Sequence, residues 1–416
     1  MLTVGLAIAL MVIAFLVTTI VYPYVLSFAI KHHVVDNPNA RKLQRVPVPV
    51  MGGTTVFIGL LVAVIVGYCF APSPEVFKIV GLLIVMYLLG VWDDVKDVPA
   101  AFRFAAEIFV VWMMMLLLGV EINDFHGLWG LQEIEDVVSI PLSLIAGVGI
   151  MNAINLIDGV DGYCSTYGVM ACIFFAIIFY YAGDMTMFTL ALIAIGALIP
   201  FFFHNVFGKT SKMFLGDGGS LMLGTLLAIF TFSVLSKNSP CAQYLDDGIS
   251  LVALVLAILA VPVFDTLKVM IFRVAKGHSP FHPDKTHLHH LFIELNYSHL
   301  ATSGIIVTVN ALIIGICALS WQLGASIDLQ VYIVIFCSLL FTWGFYFFMQ
   351  HEHRKNDGYG SAFFQNACQR GNATNFTNGN VWKFLRRVVD SRLLGGKAAI
   401  QQESPAKQPR PDPRIQ

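Results

Sequence analysis

Apolar residues in this chain do not alternate with polar ones; they run on. A helix needs roughly 20 apolar residues to cross a bilayer. Eleven stretches reach that length: 2–30, 52–71, 76–92, 102–120, 138–157, 163–182, 186–204, 214–236, 249–272, 302–321 and 329–350. Backbone polar groups in lipid must be satisfied within the segment, so each stretch predicts a helix. The expected fold is an all-α, polytopic integral membrane protein. The first stretch is overlong, with a natural end near Ser27, and the fifth is interrupted by Asn152 and Asn155. Met1 to Phe15 carries no basic residue, which predicts a retained first helix over a cleaved leader.

Composition agrees. Hydrophobic residues make up 57% of the 416 and charged residues 12%, against roughly 25% charged in a soluble domain. The seven cysteines are scattered and form no Cys-x-x-Cys pair, so they read as apolar packers inside helices.

Eleven crossings put the two ends of the chain on opposite sides, and Lys and Arg orient them. Alternate short loops hold Lys31, Arg41, Lys42 and Arg45; Lys96 and Arg103; Lys209 and Lys212; and Lys268, Arg273, Lys276 and Lys285. The other side holds Lys78 and Lys237. The N-terminus is therefore expected outside and the C-terminal tail in the cytoplasm. The outer segment Glu121 to Asp136 is acidic and reads as a solvated loop. Residues 1–350 form the expected transmembrane catalytic domain, with active-site loops at 31–51, 93–101, 157–163, 205–214 and 273–300. Residues 351–416 form a tail. Within it, Val381, Phe384, Leu385, Val388 and Val389 recur at helical spacing among Lys383, Arg386, Arg387 and Arg392. That predicts a basic amphipathic helix over 380–394 on the inner membrane surface. The end, from Gln401, is rich in Pro, Gln and charge and is expected to be disordered.

Ionisable residues in or at the end of a span are costly and point to function. Four places stand out, all on the expected cytoplasmic side. Asp93-Asp94-Val95-Lys96-Asp97 closes the third span; on a continuing helix Asp94 and Asp97 share a face. Asn152 to Gly162 closes the fifth, with Asn152, Asn155, Asp158 and Asp161, each Asp followed by a glycine. Gly216-Asp217-Gly218-Gly219-Ser220 opens the eighth, where free N–H groups favour anions. No Lys-Ser/Thr follows the glycines, so this is not a Walker A loop. The fourth place joins Asp265 to a loop in which six of the twelve histidines fall between His278 and His299. Solvated helix ends, polar turns and caps are the plainer readings of each place taken singly. Their agreement on one face points to phosphoryl chemistry, with Mg²⁺ (Mn²⁺ as a substitute) held by carboxylates and substrate phosphates. Zinc on the histidines is the other metal reading, but hard oxygen ligands without a nearby cysteine suit Mg²⁺ better.

In these residues the chain resembles the polyprenyl-phosphate N-acetylhexosamine-1-phosphate transferases. The matching motifs run in order: Asp36 to Gly53, Asp93-Asp94, Asn152 to Gly162, Gly216 to Ser220, Pro262 to Thr266 and Ser279 to His290. The resemblance implies transfer of a sugar 1-phosphate from a UDP-N-acetylhexosamine to a polyprenyl phosphate, releasing UMP, with Mg²⁺, at the cytoplasmic face of a bacterial inner membrane. The run His287-Leu288-His289-His290 resembles the branch that uses UDP-GlcNAc and undecaprenyl phosphate; UDP-MurNAc-pentapeptide or another UDP-N-acetylhexosamine is the alternative donor. Carried onto this chain, the resemblance makes Asp93, Asp94 and Asp217 catalytic, with Asp217 and Asp94 on the metal. It places Asn152, Asn155, Asp158, Asp161, Asn205 and Phe214 at the nucleotide. His287, His289, His290, Arg45, Lys96, Arg103 and Asp265 are expected at sugar or phosphate. Gln44, Val50 and Lys285 depart from the residues common in relatives, and Gly218-Gly219 doubles a glycine. Direct attack by the lipid phosphate is favoured over an aspartyl-phosphate route. No nucleic acid partner is expected, and a homodimer is an allowed assembly. A transporter is the rival class, but transport sites lie near the midplane, often between inverted repeats. These carboxylates gather at one face, and no half-length repeat is visible.

Overall fold

The computed structural model describes residues 3–36, 47–244, 248–279, 286–295, 297–355 and 380–391. Among them, ten helices are long and apolar enough to cross a membrane, eleven if one bent pair counts as a crossing. The fold is all-α, apart from a short antiparallel ladder of β1 (Val35–Asp36) with β2 (Val48–Pro49).

The first eight crossings are α1 (Val4–Lys31), α2 (Gly52–Phe70), α3 (Pro74–Lys96), α4 (Ala100–Leu118), α5 (Asp136–Leu156), α6 (Tyr163–Ala182), α7 (Met185–Phe207) and α8 (Gly216–Leu235). Most bounds fall within a few residues of the apolar pattern. Helix α1 is the exception: it passes Ser27 and continues to Lys31 with Pro23 inside it. Helix α5 runs unbroken through Asn152 and Asn155, because both side chains find partners within the bundle.

Helix α8 is the centre of the molecule. Its whole apolar window is buried, against less than half for α1 to α5. It packs on α3, α5 and α2, and glycines set the spacing. A Cβ on Gly53 would come within 2.4 Å of the Gly219 backbone, and one on Gly90 within 2.3 Å of the Asp217 carbonyl. Small residues let helix backbones approach closely where packing and not hydrophobicity drives association in lipid.

After the short α9 (Pro240–Tyr244), the ninth apolar stretch departs from expectation. Instead of one helix it forms α10 (Leu251–Ile258) and α11 (Ala260–Ala275), bent by 73°. Pro262 supplies no N–H to the helix it joins, so a break just ahead of it loses little. The backbone groups freed by the bend have partners. Asn310 Nδ2 donates to the carbonyls of Ala257 and Ile258, its Oδ1 accepts from Val261 N–H, and Tyr167 Oη also donates to Ile258. Broken helices survive at membrane depth only where neighbours satisfy the backbone in this way.

Helix α12 (Leu288–Glu294) carries the histidines, and α13 (His299–Gln322) crosses next. The final crossing is α14 (Ile327–Leu339), a π-helical turn over Leu340–Gly344, and α15 (Phe345–Lys355). In the tail, α16 (Asn380–Ser391) is amphipathic, and Trp382 and Val389 pack on Phe207 at the end of α7. The rest of the expected 380–394 helix and the segment from Gln401 lie outside the described residues.

Candidate active site

The C-terminal ends of α3, α5 and α7 and the N-terminal ends of α2, α4 and α8 meet at one end of the bundle. Four hydrogen bonds bring the chain into α8. Phe214 N–H donates to Pro49, Gly52 N–H to Phe214 O, Gly53 N–H to Leu215 O, and Gly216 N–H to an Asp158 oxygen. Gly216 has φ +76°, and a Cβ there would lie 2.6 Å from an Asp94 oxygen. A left-handed backbone and a contact that close admit only glycine.

Asp94 binds that corner. Its two oxygens accept from the N–H groups of Asp217, at 2.9 Å, and Gly218, at 3.1 Å. A carboxylate at a helix N-terminus satisfies orphan donors and complements the helix dipole. The side chain expected on a metal therefore faces the α8 backbone. Asp93 points the other way: Oδ1 accepts from Val98 N–H, and Oδ2 pairs with Arg103 at 3.2 Å. The Asp93 and Asp217 carboxyls are in contact.

Asp217 is partly open, with 35% of its side chain exposed against 12% for Asp93. Asn155 Nδ2 donates to its Oδ1 at 2.6 Å, and Arg103 lies 3.8 Å from Oδ2. Arg103, expected at a substrate phosphate, spends its fork on protein groups: Nε on Glu107, NH1 on Asp93 and NH2 on Asn155 at 2.7 Å. Glu107 is 1% exposed and also accepts from Asn152. Sequence reading missed Glu107, although a carboxylate inside the fourth apolar stretch is itself a signal.

Two further groups complete the face. Asp161 pairs with Lys212 at 2.6 Å and with His299 at 2.8 Å. Asn205 is a buried bracket, accepting from Gly162 N–H and donating to Met213 O. Lys212 also lies 5.5 Å over the Phe214 ring. Asp265 is buried; it meets Lys268 at 2.6 Å and His287 at 2.9 Å, and accepts the N–H of Leu288 that opens α12. It thus aims the histidine helix. His289 stacks with His287 and lies tilted against His290, and a Cβ on Gly159 would sit 3.1 Å from His289 Nε2. The carboxylate and histidine clusters therefore adjoin at the 158–162 turn. Lys96 is exposed at the end of α3, away from these contacts. Arg45 lies outside the described residues.

Charge states outside the spans follow from the surroundings. Burial, then the nearby Asp217 and Asp94 carboxylates, pushes Asp158 well up. Burial, reinforced by His290 and His287, holds His289 well below the ordinary imidazole range. Neutral His289 can therefore hydrogen-bond without carrying charge. For Asp161 burial acts upward, but the hydrogen bond and charge of His299, then Lys212, outweigh it and leave the carboxyl low. A depressed carboxylate stabilises the fold above its unfolded-state value, and that share is lost as pH falls through the folded value. Thermal unfolding in detergent from about pH 6 to about pH 3 is expected to show this loss. The Asp161→Asn variant should lack it; equal pH slopes in both proteins would rule the pairing out as a source of stability.

For a divalent cation, the test is the donor set. Two hard carboxylates, Asp217 and Asp93, touch at a partly open position next to bound Asn155. Among the described residues no group of three or more His, Cys, Asp or Glu is arranged to hold a metal. Mg²⁺ takes one or two carboxylates and completes its shell with water and phosphate, whereas a closed structural zinc cage takes four protein ligands.

Known proteins resemble this chain in sequence. Residues 76–235 match the family model described as Glycosyl transferase family 4. A Bacillus subtilis (strain 168) protein named "Probable undecaprenyl-phosphate N-acetylglucosaminyl 1-phosphate transferase" is 30% identical over 78% of this chain and 87% of its own length. The Escherichia coli (strain K12) undecaprenyl-phosphate alpha-N-acetylglucosaminyl 1-phosphate transferase is 28% identical over 80% and 88%. A decaprenyl-phosphate N-acetylglucosaminephosphotransferase of Mycolicibacterium smegmatis is 29% identical over 69% and 75%. With its matched segment running from α3 through α8, across the helices that carry Asp93, Arg103, Asn155 and Asp217, this multi-pass membrane protein belongs to glycosyl transferase family 4.

Proposed function

We propose that this enzyme transfers N-acetylglucosamine 1-phosphate from UDP-GlcNAc to undecaprenyl phosphate at the cytoplasmic face of a bacterial inner membrane. The observation that carries the reading is the open Asp217 carboxylate at the α8 N-terminus, touching Asp93 and steadied by Asn155 and Arg103. The names of the relatives supply the sugar and the lipid class.

A phosphate oxygen of the lipid attacks the β-phosphorus of the donor. A new P–O bond forms, the bond to the bridging oxygen breaks, and UMP leaves with that oxygen. Both reactants are anions, so the site must cancel repulsion and hold them in line. Mg²⁺, when bound, neutralises the pyrophosphate and the charge developing on UMP. Asp217 and Asp93 would hold it. Asp94 fixes the corner on which Asp217 sits, and Arg103 offsets the charge of Asp93 and Asp217. The 158–162 turn with Lys212 faces the nucleotide end, and α12 presents His289 and His290 toward the sugar end. His287 is oriented by Asp265, and its buried Nε2 has no hydrogen-bond partner among the described residues.

The test is UMP release from purified enzyme with Mg²⁺, undecaprenyl phosphate and a donor panel. UDP-GlcNAc is expected to exceed UDP-GalNAc, UDP-QuiNAc and UDP-MurNAc-pentapeptide by at least about tenfold in kcat/KM. A different best donor overturns the sugar assignment. No UMP from any donor overturns the reaction.

A further inference from the structure

The tail helix α16 has no evident role in the chemistry, yet it reaches the loop that feeds the active site. Its inner face packs Trp382 against Phe207, with ring centroids 4.7 Å apart, and Val389 joins the same cluster. One turn beyond Arg386, Asp390 turns toward the 208–215 segment. A single oxygen, Oδ1, accepts from Ser211 Oγ at 3.0 Å and from the N–H groups of Ser211 and Lys209, both at 3.3 Å. Ser211 is fully buried; Tyr22 Oη donates to its carbonyl and His204 meets its hydroxyl. The next residue is Lys212, which holds Asp161. Then come Met213 on Asn205, Phe214 on β2 and Gly216 on Asp158.

We infer that α16 is a clamp on the 208–215 loop, with Asp390 a positioning residue for the Lys212–Asp161 pair. The assignment of that pair to the nucleotide end rests on the transfer reaction proposed above. The clamp itself rests on the contacts. A carboxylate accepting two backbone N–H groups and the hydroxyl of buried Ser211 fixes the loop's path, because hydrogen bonds to a charged acceptor are strong and their loss leaves orphan donors. Lys212 has a long, flexible side chain, so its reach to Asp161 depends on where its backbone is held. The tail of the chain, which follows the last crossing, thereby becomes part of the site's scaffold.

Hydrogen exchange and kinetics together test this on the full-length protein. In Asp390→Ala, amides of 208–215 are expected to exchange faster while those of α6 do not change. KM for the nucleotide sugar should rise roughly tenfold, with kcat within about threefold. Asp390→Asn keeps an acceptor oxygen and should restore both readouts. In a Lys212→Ala background, Asp390→Ala should add no further rise, since both changes remove the same contact. Unchanged exchange in 208–215 overturns the clamp. An equal further rise in the Lys212→Ala background overturns the route through Lys212. If exchange responds as expected but no donor yields UMP from the unmodified enzyme, the clamp stands and the reaction reading falls.

Discussion

An Asp217→Ala enzyme is expected to lose about a thousandfold or more in turnover while folding as well as the parent. The loss follows from position. Asp217 has 35% of its side chain exposed, and metal or oxyanion charge stabilisation is commonly worth several kcal/mol of barrier. The fold should tolerate the change. Asp217 sits against Asp93 and near Asp94 and Asp158, so removing it relieves like-charge repulsion as it gives up the Asn155 and Arg103 contacts. UMP release at saturating substrates measures the first effect, and the unfolding temperature in detergent the second. More than about a tenth of normal turnover in the variant would sink the metal-holding role. Asp217→Glu is expected to stay impaired, because an added methylene pushes the carboxylate past Asn155.

Arg103→Ala should have the largest effect on stability. The guanidinium serves Asp93, Glu107, Asn155 and Asp217 at once. Without it Glu107, 1% exposed in the second turn of α4, keeps only its bond from Asn152. Removing one partner of a buried pair costs about 3–5 kcal/mol, mainly by stranding the other charge. Denaturation of the single variant should show a loss in that range. Adding Glu107→Gln should recover much of it, because the amide can be buried neutral. A double variant as unstable as the single one would assign the loss to packing and not to the stranded carboxylate.

How much of this was legible beforehand depends on the residue. Apolar runs have one reading in lipid, so the crossings could be placed within a few residues. The bend between α10 and α11 could not, because it depends on Asn310 and Tyr167, far away in the chain. The carboxylates were found because charge at a span's end is costly. Their division of labour was not, since Asp93 and Asp94 are adjacent letters whose side chains leave the helix in different directions. Asp94 caps α8, whereas Asp93 faces Arg103 and Asp217. Asn205 read as a ligand contact and is a buried bracket. Glu107 was passed over because it lies within an apolar stretch, and Lys268, counted as a loop charge, is buried in α11 against Asp265. Asp390 lay in a tail judged by its basic, amphipathic pattern, which hides a single acidic residue with a specific partner.

The bend between α10 and α11 also bears on biogenesis. An eight-residue helix spans only about 12 Å, too little to cross a bilayer, and α11 leaves it at a steep angle. While the chain is being made, the carbonyls of Ala257 and Ile258 emerge some fifty residues before Asn310, which answers both of them. Tyr167 is already present and can meet only one. Until α13 arrives, this corner has unmet polar groups that hydrocarbon will not accept. The histidine face is therefore expected to take its final shape only after α13 locks the corner from behind.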